Sequence, residues 1–265
     1  METPLTRKLL GTFVALVLAF LYVPIIVISL YAFNSSNVQS WPPPGLTFDW
    51  FGSTIHNADM QQSLWVSLEA ASLATAIALV LGSMAAFGVH RFRFFGRESV
   101  SFLFVLPIAL PGIITGMALS SYFTYWGWNL GLSTIVVGHA TFCVVIVYNN
   151  VLARLRRVPG SLVEASMDLG ANGLTTFRLV TLPAISTSLI SGALLAFALS
   201  FDEVIVTTFT SGVHNTLPIW IFGQIRLGQE LPQVNVIVFL ILLVTIIPVV
   251  LAQRLTRESG ILRTE

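Results

Sequence analysis

Glu164–Pro183 reads EASMDLGANGLTTFRLVTLP. The stretch is polar and punctuated, with an acid at its start, Gly170 near its middle and Leu182-Pro183 at its end. Its flanks are apolar: HATFCVVIVYNN (139–150) precedes it and AISTSLISGALLAFALSF (184–201) follows. A polar segment placed in this way joins two membrane spans, provided the rest of the chain has the same character.

It does. Of 265 residues, 55% are hydrophobic and only 9% charged, where a soluble domain averages about 25% charged. The chain is therefore expected to be an all-α integral membrane protein forming one transmembrane domain over 1–265. Crossing a bilayer takes about 20 apolar residues. Six stretches qualify: Leu9–Phe33, Leu64–Val89, Val100–Phe123, Leu132–Leu152, Ala184–Thr207 and Val234–Gln253. The first is too long for a signal peptide and lacks a small-x-small cleavage site, so it reads as a retained span. The net charge of +1 gives no ground for a nucleic-acid partner. The single cysteine, Cys143, excludes an intrachain disulfide and a cysteine-built metal site. No cofactor and no metal are expected. His139 in span four has no H-x-x-H or carboxylate partner and reads as a hydrogen-bonded packing residue.

The cations orient the chain. Arg7, Lys8, Arg91, Arg93, Arg97, Arg154, Arg156, Arg157, Arg178, Arg254, Arg257 and Arg263 all fall on one side of the six spans, and only Arg226 on the other. By the positive-inside rule the crowded side is the cytoplasm, with both termini there. On the outer side, Asn34–Ser63 carries WPPPGLTFDWF (41–51) and no Lys or Arg; Pro42–Pro44 is expected to stiffen it into an extended polyproline segment. LPIWIF (217–222) is too short to span and reads as a re-entrant or interfacial piece.

The opening stretch then lies in the cytoplasm, in a loop over 161–183. Ser161 with Glu164 three residues on makes a capping box. The helix it starts is expected to stop at Gly170, which tolerates the left-handed conformation. Asn172 can cap a second helix over Leu174–Val180, with Pro183 at the start of span five. Two short helices at a sharp turn would present a rigid surface; an ordinary amphipathic connector has the same capping signals.

The spacing adds more. Glu164-Ala165-Ser166, three residues, Gly170, nine residues, Val180, one residue, Leu182-Pro183 resembles the EAA signature of ABC-transporter permeases, with Ser166 and Val180 as departures. YAFNSS (31–36), Asp49-Trp50-Phe51, HATFCVVIVYNNVLAR (139–154) and SFDEVIVTTF (200–209) further resemble the spermidine/putrescine group, in particular its second permease subunit. The resemblance implies the six-helix type I ABC importer permease fold, in which Glu164, Ala165, Ser166, Gly170, Leu182 and Pro183 belong to a coupling-helix loop seated on an ATP-binding subunit. It implies a complex with two ATP-binding subunits, a second homologous permease and an external, periplasmic binding protein, in membrane lipid. The chain has no G-x-x-x-x-G-K-[ST] loop, so ATP hydrolysis is expected on partners and the chain is not itself an enzyme.

Inside the spans, charge is costly and marks function by default. Asp202 and Glu203 fall 14–15 residues after Ser188, about 21 Å up a helix, in the outer half of the bilayer. Ser200, Glu203 and Thr207 would share one face of a continuous helix. Two adjacent carboxylates can replace the hydration shell of an ammonium group, and the resemblance supports an acidic pair here. The structural alternative is an ion pair with the partner permease, or a helix cap. Trp50, beside Asp49 in the outer loop, is a further candidate for the substrate pathway. Glu69 is expected to snorkel to the headgroups. Pro107 and Pro111 should kink span three, and Gly112 and Gly116 form a GxxxG close-approach face. Where spermidine members of the group tend to carry an acid beside the second proline, this chain has Gly112. The tryptophans and tyrosines at the end of span three, Tyr122, Tyr125, Trp126 and Trp128, read as an interfacial belt.

Two function classes follow. One is an ABC importer permease for a polyamine (putrescine- or spermidine-like) or another small organic cation, with ABC import of a different small solute as its variant. The other is a proton-coupled secondary transporter using Asp202 and Glu203 as a relay. Such carriers typically show paired repeats within one chain, which this sequence lacks.

Overall fold

A computed structural model describes residues 4–92 and 94–261, with backbone alone at 105 and 247–261. Arg93 and Arg263 therefore lie outside the described residues. The chain is all-α: among the described residues the one β feature is an isolated antiparallel bridge between Asn34 and Leu46. In order, the helices are α1 (Pro4–Tyr31), α2 (Asp49–Ile55), α3 (Ala58–Arg91), α4 (Arg97–Ala109), α5 (Gly112–Tyr125), α6 (Leu132–Leu155), α7 (Gly160–Asp168), α8 (Gly173–Thr176), α9 (Leu182–Phe201), α10 (Ile205–Thr210), α11 (Leu217–Leu227) and α12 (Leu231–Ile261). A π-helical turn, Phe177–Thr181, joins α8 to α9. Among the described residues, four stretches are long and apolar enough to cross a membrane: Pro4–Tyr31, Ala58–Arg91, Leu132–Leu155 and Gly173–Phe201. Leu231–Ile246 is a shorter apolar helix.

The chain divides into two compact units, Met1–Gln61 with Ile221–Glu265, and Gln62–Trp220. In the first, α1 packs along α12 and α2 packs on α12. No residue of α1 is buried, so its apolar surface is left for lipid or another chain. The outer loop is organised by Asn34. Its buried amide donates to the carbonyls of Ser36 and Val38 at 3.1 Å each, and its own carbonyl accepts the Trp50 indole N–H at 2.8 Å. Phe33 meets the rings of Phe48, Phe51 and Phe239 at 5.2–5.3 Å. Pro42–Pro44 lie in a loop closed by backbone bonds on both sides. Ser35 N–H donates to Gly45 O at 3.0 Å and Thr47 N–H to Phe33 O at 2.7 Å. These bonds draw the two ends of the segment together, with Pro42 and Pro44 in bends between them.

In the second unit α6 is the axis. Its buried residues run from Thr134 to Leu155, and it packs against α4, α9 and α10. Helices in lipid gain little from the hydrophobic effect on meeting one another, so close approach decides the packing. Gly82 of α3 lies where a Cβ would come within 2.8 Å of the Val144 carbonyl oxygen. Gly192 of α9 lies against Val147. Tyr148 stacks on Phe104 at 4.8 Å and donates to Ser101 Oγ at 2.9 Å, fixing α4 to α6.

Two expected spans differ from those observed. Span three is two helices and not one kinked helix. Leu110 is extended (φ −77°, ψ 139°), as a residue before proline is pushed to be, and α5 starts afresh after Pro111. Pro107 is accommodated inside α4. Span five begins earlier than Ala184 and stops at Phe201, short of Thr207. LPIWIF lies in α11, an eleven-residue helix with Leu217 and Trp220 buried.

Candidate functional site

Two places in the second unit hold the chemistry singled out in the sequence. The first is the break between α9 and α10. Asp202 closes α9, its N–H donating to Ala198 O at 3.2 Å. The regular helical bonding is then interrupted and resumes at Ile205, while Asp202 and Val204 keep right-handed helical dihedrals. A break at membrane depth frees backbone groups that lipid cannot satisfy, and side chains take them up. Glu203 Oε1 accepts the Val206 N–H at 2.9 Å. Thr207 Oγ1 donates to the Glu203 carbonyl at 2.7 Å. The Glu203 carboxylate thus lies at the positive end of α10, where a negative charge is favoured. The Asp202 residue is exposed and Glu203 is partly exposed.

This changes the expected geometry. Ser200, Glu203 and Thr207 are not on one face of an unbroken helix, because helical bonding is interrupted at Asp202–Val204. Ser200 and Thr207 are buried, and both converge on His139 of α6. Nδ1 lies 2.7 Å from Ser200 Oγ and Nε2 lies 2.8 Å from Thr207 Oγ1. His139 is the hydrogen-bonded residue the sequence led us to expect, but its partners were not foreseen. The signal was available: two hydroxyls seven residues apart and a single histidine in the preceding span.

The six-residue α10 is held on several sides. Gly112 faces Ile205, and Gly116 faces Phe209, whose ring carbon would lie 2.7 Å from an added Cβ. The GxxxG face of α5 is therefore a seat for α10. On the α6 side Gly138 lies against Val206 and Thr210, and Thr134 Oγ1 donates to Thr210 O at 2.7 Å. Trp50 belongs to the other unit, where its indole N–H is engaged by Asn34. Glu69 is exposed on α3. Among the described residues no three His, Cys, Asp or Glu side chains converge.

The second place is the polar loop. Pro159 precedes α7, which starts at Gly160. Ser161 therefore sits inside the first turn and makes no cap; the expected capping box is not formed, because Pro159 starts the helix two residues earlier. The end is as expected. Gly170 has φ +86°, its N–H donates to Met167 O at 2.9 Å, and the Ala171 N–H reaches back to Ser166 O at 3.1 Å. Asn172 Oδ1 caps α8 by accepting from Thr175 N–H at 2.9 Å. Ser166 Oγ meets Thr176 Oγ1 at 3.0 Å, tying α7 to α8.

The second helix does not end before Pro183. It continues through the π turn into α9, with Leu182 N–H donating to Phe177 O five residues back. Pro183 can offer no N–H and its ring crowds the carbonyl four residues earlier; a widened turn accommodates both. Arg154 Nε donates to Ala184 O at 2.9 Å, and Phe177 meets Phe87 of α3 edge-on at 5.1 Å. Between these supports lies a recess of about 600 Å³ whose lining includes His90, Arg91, Glu164, Met167 and Thr176. Leu169 and Leu174 stand 89% and 77% exposed at the turn. Apolar side chains so placed on a rigid polar loop have the character of a protein contact.

A family profile described as "Binding-protein-dependent transport system inner membrane component" matches residues 78–258. The putrescine transport system permease protein PotI of Escherichia coli (strain K12) is 38% identical over 232 residues, covering 84% of this chain and 82% of that protein. The spermidine/putrescine transport system permease protein PotC of Haemophilus influenzae is 32% identical over 252 residues, covering 94% and 97%. Among solved structures, a chain of a bacterial ABC transporter importing the acidic polysaccharide alginate superposes with a TM-score of 0.72 at 16% identity, over 97% of this chain and 98% of that one. A chain of the MetNI methionine ABC transporter, in an inward-facing form, gives 0.63 at 19% identity, over 75% and 95%.

Proposed function

This chain belongs to the binding-protein-dependent transport system inner membrane component family, and from that premise we propose that it carries a polyamine, or a related small organic cation, into the cytoplasm. It is a permease subunit of an ABC importer and not itself an enzyme. Its relatives named for putrescine and spermidine support the substrate class. The observation that carries the cation reading is the break at Asp202–Val204, where among the described residues no basic side chain pairs with either carboxylate. Asp202 and Glu203 then replace water around an ammonium group as it passes. Ser200 and Thr207 support that break, and Trp50 belongs to the outer approach.

In this reading the whole of 1–265 acts as one transmembrane domain with both termini in the cytoplasm. The α7–α8 loop, with Glu164, Ala165, Ser166, Gly170, Leu182 and Pro183, receives the motion of one of two ATP-binding subunits. A second, homologous permease completes the pathway, and a periplasmic binding protein delivers the substrate.

The test is uptake of labelled putrescine, spermidine and neutral or anionic solutes in cells whose other amine carriers are deleted, with the full complex expressed. Uptake of a diamine or triamine that unlabelled polyamines compete is the expected result. Uptake of a neutral or anionic solute, untouched by polyamines, would overturn the cation reading and leave the permease role standing.

A further inference from the structure

His139 lies 1% exposed in the most buried helix of its unit, with one ring nitrogen on each side of the α9–α10 break. The direction of every hydrogen bond there can be worked out. Thr207 Oγ1 has one proton, and it is committed to the Glu203 carbonyl, an acceptor only. Thr207 Oγ1 can therefore meet His139 Nε2 only as an acceptor, so Nε2 carries the hydrogen. In the neutral ring Nδ1 is then an acceptor, and Ser200 Oγ–H must donate to it. The chain runs one way: Ser200 O–H to His139 Nδ1, His139 Nε2–H to Thr207 Oγ1, Thr207 O–H to Glu203 C=O.

That chain connects the last turn of α9 to the first turn of α10 through a third helix, and it ends on the backbone of Glu203. Its neighbour Gly138 removes the side chain that would hold α10 away, since a Cβ there would stand 3.3 Å from Val206. Glu203 Oε1 is meanwhile held by the Val206 N–H. The place of the Glu203 carboxylate, and of the backbone that carries Asp202 beside it, is thus held by groups that do not themselves carry charge toward a substrate.

We propose that His139, as the Nε2–H tautomer, is the positioning residue that sets the geometry of the Asp202–Glu203 break during transport. The inference rests on the reading of these carboxylates as part of the cation pathway. His139 itself touches no substrate; it acts through Ser200, Thr207 and the Glu203 backbone. The ring is suited to this because its two nitrogens differ. One accepts from α9 while the other donates to α10, and the rigid ring holds the two at a fixed divergence; asparagine has an acceptor and a donor too, but on a shorter side chain.

The experiment is a cycle on the assembled complex, reading polyamine uptake, ATP hydrolysis and complex yield. His139→Asn keeps an amide near Ser200 but falls short of Thr207. It should lower uptake about tenfold, the scale of one lost buried hydrogen bond. Added to the Asp202→Asn, Glu203→Gln pair, it should cost nothing further, because the groups it positions are already neutral. Thr207→Val should behave as His139→Asn does, and Thr207→Ser, which keeps the hydroxyl, should restore uptake. Full uptake by His139→Asn and Thr207→Val, with the carboxylate pair variant impaired, overturns this inference alone. So do losses that multiply. Full uptake by the carboxylate pair variant sinks the pathway reading and this one with it. If His139→Asn does not assemble, Thr207→Val decides; if neither assembles, the network is a structural staple and the inference is wrong.

Discussion

Glu203 Oε1 accepts a hydrogen bond from the backbone N–H of Val206 at 2.9 Å. One carboxylate of the acidic pair is therefore both a charge and a cap, and its two roles separate by substitution. Glu203→Gln retains an oxygen for the Val206 N–H and removes the charge. Glu203→Ala removes both. We expect Glu203→Gln to assemble normally and to lose polyamine uptake, whereas Glu203→Ala should also lower thermal stability by about 1 kcal/mol, the usual worth of a helix-start cap. Thermal unfolding of the purified complex beside uptake checks this; stability and uptake equal to the unsubstituted complex in both variants would show that neither role matters.

Asp202 is the more exposed of the two, and among the described residues its side chain has no hydrogen bond holding it to the fold. Asp202→Asn combined with Glu203→Gln should reduce uptake of a polyamine more than uptake of a neutral competitor, with complex yield and ATP binding unchanged. A charge-independent loss would mean that the pair shapes the pathway without selecting its cargo.

Gly170, at φ +86°, lies in a region that costs a side-chain-bearing residue about 1–2 kcal/mol. Gly170→Val should distort the turn between α7 and α8. The expected phenotype is poor assembly, or ATP hydrolysis without transport. Normal uptake by this variant would exclude the loop from coupling.

Gly116→Ala would drive a Cβ to within 2.7 Å of the Phe209 ring, and Gly82→Ala to within 2.8 Å of the Val144 carbonyl oxygen. Overpacking of this kind costs typically about 1–3 kcal/mol. The Gly82 variant should be the worse, because a backbone oxygen in mid-helix cannot turn aside as a phenyl ring can. Gly112→Ala, 3.3 Å from Ile205, is the mild control. Melting temperatures in this order support the packing described; a neutral Gly82→Ala refutes it.

Orientation is checked with cysteines. Cys143 is the chain's one thiol and is buried, so background labelling should be low. Ser40→Cys should react with an impermeant maleimide added to intact spheroplasts, and Arg156→Cys only after lysis. Both positions are exposed. The opposite pattern would place the termini outside.

Much of the architecture was legible because membrane helices announce themselves by length and apolarity. The α6 span was read to within three residues of its observed end, and Gly170 and Asn172 ended and began the loop helices as their chemistry requires. Misreadings came where two local rules competed. A helical spacing of Ser200, Glu203 and Thr207 assumed a continuous helix, yet Glu203 and Thr207 side chains can satisfy a broken backbone, so the helix was free to stop. Pro183 looked like a boundary, yet a wider turn absorbs it. Ser161 had the right partner at the right spacing for a cap, but Pro159 had already started the helix. Contacts between distant segments, such as His139 with Thr207 or Gly116 with Phe209, leave almost no trace in the local pattern.

The π turn at Phe177–Thr181 has a geometric consequence of its own. A turn closed by a bond to the fifth residue back holds one residue more than an α turn, so everything N-terminal to it is out of phase with α9 by about 100°, the angular step of one residue. The azimuth at which Leu174 stands out of the loop is thus determined by a residue count. Deleting one residue within 177–181 would let the helix close regularly and swing Leu174 and the α7 turn through roughly that same angle, while leaving Pro183 and the span beyond it undisturbed. The loop's bearing toward whatever docks on it is, in this sense, dialled by the length of a single turn.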